Sequence, residues 1–290
     1  MDSGCYRKTQ FVSNFLEYGA AGSSMVKIGD THVVTAIAFE EIVFDASSSD
    51  SLPPTPLCTI TLDFPFTHHH NRTPAYQQSV ANDTIRTANS YNSLSGSTSY
   101  LHKLANSMNL FSSCDYGFFE LTSSATTTST TTPPTLTTTT QRYKLNLSFS
   151  ILNNDGNFMD ACVLGLSQSI SSCCFPNTTI NLPVNFLPVS ISCAIMKNTK
   201  GGDGKSQSAA RFDPGLVEEA EAMEGGGGGV VRVVLPCYPK KDKDEIKEKG
   251  LDELVCIDCW GGGGVKLNVI RGVLAVGRRR VEEVERALNA

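Results

Sequence analysis

The chain has 290 residues, 40% of them hydrophobic, enough to bury a sizeable core as one large domain or two small ones. Only 18% are charged and the net charge is -5, which argues against coating nucleic acid by bulk electrostatics and leaves room only for local basic patches. No stretch approaches the ~20 apolar residues that span a bilayer, and residues 1–14 hold no signal-type apolar run, so a soluble intracellular protein is expected. In that setting the ten cysteines are expected as reduced core residues rather than a disulfide framework.

In chain order, residues 1–22 read as a lead with a short strand, ending at the small residues Gly19-Ala20-Ala21-Gly22. Met25 and Ile28, then Val33, Val34, Ile37 and Phe39, flank Gly29-Asp30, which predicts a β-hairpin. Residues 45–58 are polar and Pro-rich, hence loop; 57–66 return to an extended pattern, and an irregular loop with His68, His69, His70 and Arg72 follows. Tyr76, Val80, Ile85 and Ala88, then Leu101, Leu104 and Met108, predict two helices or one broken helix over 74–109. The Thr-rich stretch 121–140 buries too little apolar surface to offset its ordering entropy and is expected to be a disordered insertion.

Residues 143–174 form the core unit. Leu145, Leu147, Phe149 and Ile151 alternate with Lys144, Asn146, Ser148 and Ser150, the period of a half-buried strand. Asn153 to Asn157 make a turn, Asp160 stands where an N-cap belongs, and Ala161, Val163, Leu164, Leu166 and Ile170 give a buried helix. Strands are expected at 178–182 and 186–196, a loop at 197–209, and a helical turn within 210–224. The stretches 230–236 and 254–259 read as paired strands around a solvated, mixed-charge linker, and 265–288 as a long amphipathic helix. Strands precede helices twice, so the class is α+β (mixed α/β) with two similar halves, about 1–120 and 141–290.

Candidate chemistry is sparse. Cys256-Ile257-Asp258-Cys259 lacks a second ligand pair and lies in a strand pattern, which favours structure over zinc or redox work. The three adjacent histidines do not by themselves close a metal site, and the glycine run 261–264 reads as an entry turn rather than a phosphate loop. Arg278-Arg279-Arg280 is the densest basic cluster; three consecutive helical residues cover most of the circumference, so at least one faces solvent or a partner. No Ser/His/Asp set and no paired carboxylates emerge from spacing, and no cofactor or metal is called for.

Four ordered blocks resemble the RNase PH-like subunits of the RNA exosome. They are Gly22-Ser23-Ser24-Met25-Val26-Lys27-Ile28-Gly29-Asp30-Thr31; Asp155-Gly156-Asn157-Phe158-Met159-Asp160-Ala161; Leu187-Pro188-Val189-Ser190-Ile191-Ser192 with Phe212-Asp213-Pro214 and Glu218-Glu219; and the strand ending at Cys259 with its glycines and final helix. The resemblance implies a single RNase PH-like domain over 1–290, two βαβ-like halves of ribosomal protein S5 domain 2-like architecture, assembled with relatives into a six-membered ring. The usual Arg-x-Asp-Gly-Arg lead is absent, and the Thr-rich insertion is atypical of the family.

The resemblance also speaks to activity. Phosphorolytic members carry Gly-Gly-Thr-Arg where this chain has Gly156-Asn157-Phe158-Met159, and the Thr and Arg hold the attacking phosphate. Phe158 and Met159 offer neither a hydroxyl nor a guanidinium, and residues 197–205 offer only Asp203 where active relatives place acids. A non-catalytic ring subunit is therefore expected, supporting 3′-to-5′ RNA (including rRNA) processing by separate nucleases in nucleus, nucleolus and cytoplasm. Its expected partners are other ring subunits, S1/KH-type cap subunits and RNA, with no membrane. RNA contact is expected from Arg72 and from Arg278, Arg279 and Arg280. A divergent phosphate-dependent exoribonuclease and a stand-alone RNA-binding protein are the alternatives.

Overall fold

A computed structural model describes residues 7–16, 19–42, 56–64, 94–107, 110–112, 118–127, 135–198, 207–224, 228–238, 255–261 and 265–288. Strands β1 (Thr9–Ser13), β2 (Gly22–Ile28), β3 (Thr31–Glu41) and β4 (Cys58–Asp63) precede helix α1 (Leu94–Ser107). Strands β5 (Phe119–Thr127) and β6 (Thr135–Asn153) lead into α2 (Phe158–Ser171). Then come β7 (Leu187–Asn198), β8 (Gln207–Phe212), α3 (Leu216–Glu224), β9 (Gly229–Cys237), β10 (Cys256–Trp260) and α4 (Leu267–Leu288).

These strands form two sheets. The first runs β1-β2-β3-β6-β4 with β5 also on β6, and the second runs β10-β9-β7-β8. Strand β6 is the hinge of the first sheet: antiparallel to β3 and β5, parallel to β4. Its predicted alternation holds, with Leu145, Leu147, Phe149 and Ile151 all buried.

Helix α2 lies between the sheets, against β2 and β3 on one side and β7 on the other. Every residue from Met159 to Ile170 is buried, which is why the sequence is apolar nearly all round. The polar ones are paired inside: Ser167 Oγ donates to Pro188 O, and Ser169 Oγ to Ser24 Oγ. Gly165 lets the helix approach β3 closely, since a Cβ there would stand 2.3 Å from Thr35 Oγ1. Helix α4 covers the outer face of β7 and β9, burying Val273, Gly277, Arg280 and Val284 at helical spacing.

Several expectations are corrected. Over 121–127 and 135–140 the Thr-rich stretch is not a disordered loop: β5 and β6 pair antiparallel from Phe119↔Tyr143 out to Thr127↔Thr135. β-branched threonines favour the extended backbone, and the ladder continues one already anchored at buried Phe119 and Tyr143. Residues 128–134 lie outside the described residues. The two halves do not divide at 120–141, because β6 belongs to the first sheet and the change of sheet comes after α2.

The strand expected at 178–182 is a turn with a single bridge, Cys174↔Asn181. Asn177 takes a left-handed φ of 58° and Thr178 Oγ1 donates to Phe175 O, side-chain chemistry that favours turns. The loop expected at 197–209 contains the start of β8, which pairs with β7. Of the helices expected over 74–109, α1 is described, while 65–93 lie outside the described residues.

Candidate functional site at the head of the core helix

The turn between β6 and α2 gathers side chains from every part of the fold. Gly156 has φ 84° and Asn157 φ 56°, left-handed conformations that Gly and Asn tolerate. A Cβ on Gly156 would stand 2.5 Å from both Gly215 C and Leu216 N, so the start of α3 closes over the turn. Thr31 Oγ1 accepts from Asp155 N–H at 2.9 Å and donates to Gly156 O at 2.6 Å. Arg7 donates to the carbonyls of Asp155, Gly156 and Pro214 and pairs with the Asp155 carboxylate at 3.2 Å.

Asn157 is the N-cap of α2, and its side chain does not cap the helix. Its Nδ2 donates instead to Asp213 Oδ1 at 3.0 Å, while its N–H donates to Glu219 Oε1 at 2.8 Å. Asp213 in turn accepts from Arg280, whose other terminal nitrogen donates to Thr9. Burial pushes the Asp213 carboxyl up to about 6 against the pull of Arg280. Burial likewise pushes Glu219 up to about 7, against the stabilising Asn157 N–H and Arg232.

Asp160 is not the cap. It is fully buried in the first turn of α2 and accepts from Ser190 Oγ, Ser192 Oγ and Arg232 Nε. Its carboxylate is turned to these three donors rather than to the helix's own N–H groups, and what it meets is the one charge in the apolar run of β9. The Arg232 guanidinium lies 4.5 Å from the Trp260 ring centroid and 5.5 Å from that of Tyr100. Phe158 packs edge-on against Phe64 at 5.6 Å, and Met159 is buried. A cavity of about 30 Å³ opens here, bounded by Asn157, Phe158, Met159, Glu219, Arg232 and Trp260.

The four sequence blocks thus converge: Thr31 from the first, the 155–160 turn from the second, Asp213 and Glu219 from the third, Arg280 from the fourth. Of the predicted RNA-contact residues, Arg278, Arg279 and Arg280 lie among the described residues. Arg278 and Arg279 are exposed on α4, whereas Arg280 is fully buried against Asp213 and is withdrawn as an RNA contact. Arg280 falls in the helical register of Val273, Gly277 and Val284, which is the buried face of α4, and the two arginines before it do not. Arg72, the three histidines and Asp203 lie outside the described residues. Among the described residues no group of three or more His, Cys, Asp or Glu could hold a metal, and no helix is long and apolar enough to cross a membrane.

Cys256 and Cys259 are free thiols on strand β10, half-buried and exposed respectively, and burial raises both pKa values. Arg7, Arg232, Tyr100 and Trp260 escaped the sequence reading. For Arg232 a signal existed: a lone charge within Val230-Val231-Arg232-Val233-Val234 must find a partner.

Residues 6–176, more than half of the chain, match the model of the 3′ exoribonuclease family, domain 1 (RNase PH). No curated protein matches the chain. Similar solved structures include an archaeal exosome core, with 18% identity over 98% of this chain and 87% of that one and a TM-score of 0.52. The Archaeoglobus fulgidus exosome with RNA bound to the active site has 16% identity over 97% of this chain and 87% of that one, TM-score 0.52. Rice (Oryza sativa) Rrp46 has 13% identity over 100% and 98%, TM-score 0.53. At these identities the likeness is one of fold, and the fold is RNase PH-like with two sheets and mixed α+β content.

Proposed function

Because the chain belongs to the RNase PH family of 3′ exoribonucleases, we propose that it is a non-catalytic ring subunit of an RNA exosome, guiding RNA to separate 3′-to-5′ nucleases. One observation carries the non-catalytic part. The head of α2 presents Phe158, packed on Phe64, and Met159, buried in the core, so its side chains offer an attacking phosphate neither a hydroxyl nor a bidentate guanidinium. The neighbouring Asn157 N–H is already taken by the chain's own Glu219 carboxylate.

The ring part is supported by likeness to exosome core subunits over almost the whole chain. Partners in this reading are other RNase PH-type chains, S1/KH-type cap subunits and RNA, working in nucleus, nucleolus and cytoplasm without a cofactor. RNA contact falls to exposed Arg278 and Arg279, with Arg72 as a third candidate. The test is phosphate-dependent shortening of an end-labelled RNA by the purified full chain. The reading expects no shortening at any phosphate concentration; laddered products with nucleoside diphosphate release would overturn it.

A further inference from the structure

We infer that the solvent face of α4 is a track for the phosphate backbone of one RNA strand, running from Arg271 through Arg278 and Arg279 to Arg286 and indifferent to base identity. The inference rests on the RNA-contact reading above and extends it to two further arginines and to one class of contact.

The track follows from how the helix is seated. Val273, Gly277, Arg280 and Val284 are buried and define its inner face over β7 and β9. At about 100° per residue, Arg271, Arg278, Arg279 and Arg286 fall within an arc of about 100° opposite that inner face. All four are exposed. From the first to the last is about 22 Å of helix axis at ~1.5 Å per residue. That is the length of about six nucleotides at ~3.4 Å each along a strand. Arg280, turned inward to Asp213 and Thr9, fastens the helix beneath the row and keeps it straight.

The charge on this arc is concentrated. Its only carboxylate is Glu282. The other two acids of the helix are turned aside, Glu283 at 3.9 Å from Arg280 and Glu285 half-buried near Cys237. Four positive charges against one, on a chain whose net charge is -5, make a local anion-binding footprint. Guanidinium groups suit phosphate oxygens, which they meet through paired N–H donors. Helix α4 holds no aromatic side chain, so nothing on it stacks on a base, and the contact is with the backbone alone. The arc also lacks a large apolar side chain; Asn268 and Ala275 fill the rest of it. A protein partner would need such an anchor at the centre of its interface, whereas a phosphate strand does not.

The experiment measures anisotropy of labelled U-rich and A-rich single-stranded RNAs with the full-length chain across a salt series. Wild type is compared with Arg271→Gln/Arg286→Gln and with Arg278→Gln/Arg279→Gln, each checked for a wild-type melting temperature. Losing two phosphate contacts in Arg271→Gln/Arg286→Gln is expected to make the log–log salt slope shallower by about 1.4 and to weaken binding about twentyfold at about 0.1 M salt, equally for both RNAs. An unchanged slope and affinity in that variant overturns the track. If Arg278→Gln/Arg279→Gln still weakens binding in that case, the RNA-contact reading stands without the track; if neither variant differs from wild type, both fall. A preference between the two RNAs of about tenfold or more, the size of direct base readout, overturns the backbone-only contact. A labelled poly-glutamate peptide bound as tightly as RNA assigns the face to an acidic protein and overturns the inference too.

Discussion

The carboxylate of Asp160 and the guanidinium of Arg232 meet at 3.0 Å across 72 residues of sequence, with their side chains 0% and 7% exposed. The pair ties the core helix to the central strand of the second sheet, and Ser190 and Ser192 of β7 complete its hydrogen bonding. A buried pair of this kind does not have to add net stability, yet losing one partner leaves a charge stranded in the core.

Asp160→Ala should therefore destabilise the chain by about 3–5 kcal/mol, well beyond the ~1 kcal/mol expected of a lost helix cap. Asp160→Asn, which keeps an acceptor for the two serines, should lose less. Denaturant midpoints measure both. A loss near 1 kcal/mol for the alanine variant would contradict the buried-pair account.

Gly156→Ala is expected to cost about 1–3 kcal/mol, because its φ of 84° is strained for alanine and the added Cβ would meet the backbone of Gly215 and Leu216 at 2.5 Å. Since that contact is where α3 closes over the turn, hydrogen exchange in 214–224 should rise with it. An unchanged melting temperature would mean that the turn and α3 are not packed as described.

Asp213 and Glu219 set a pH dependence. Their folded values, about 6 and about 7, lie above the ordinary 3.8 and 4.5. Between those limits the folded chain holds protons that the unfolded chain has released. The stability contributed by these groups is thus present in full below pH ~4 and lost as pH rises through 6 and 7. The wild-type melting temperature should fall from about pH 4.5 to about pH 7, and Glu219→Gln, which cannot titrate, should fall less. Equal slopes would contradict the assignment to Glu219.

The three consecutive arginines of α4 should separate cleanly. Arg280→Met strands Asp213 and is expected to destabilise by about 3–5 kcal/mol. Arg278→Gln with Arg279→Gln should change stability by no more than about 1 kcal/mol while weakening RNA binding and flattening its salt dependence. RNA affinity unchanged in the double variant would remove α4 from the RNA-contact surface.

What the sequence made legible was whatever rests on local periodicity. The β2–β3 hairpin around Gly29-Asp30, the alternation of β6 and the apolar run of α2 each follow from neighbouring residues, and each is found. The site was legible only in outline. Arg232 finds Asp160 72 residues away, and Arg280 finds Asp213 67 residues away, pairings that no local pattern announces. Asp160 illustrates the difference: read locally it is a cap, read in three dimensions it is the anion of a buried pair. The Thr-rich stretch misled for the opposite reason, since composition measures burial and is blind to a ladder already anchored at Tyr143.

The most direct test of the ring account is affinity purification of the tagged chain from its own cells, with co-purifying proteins identified by mass spectrometry. The account predicts recovery of several other RNase PH-type chains together with S1-type cap proteins, in fixed proportion. Recovery of the chain alone, as a monodisperse monomer, would contradict it.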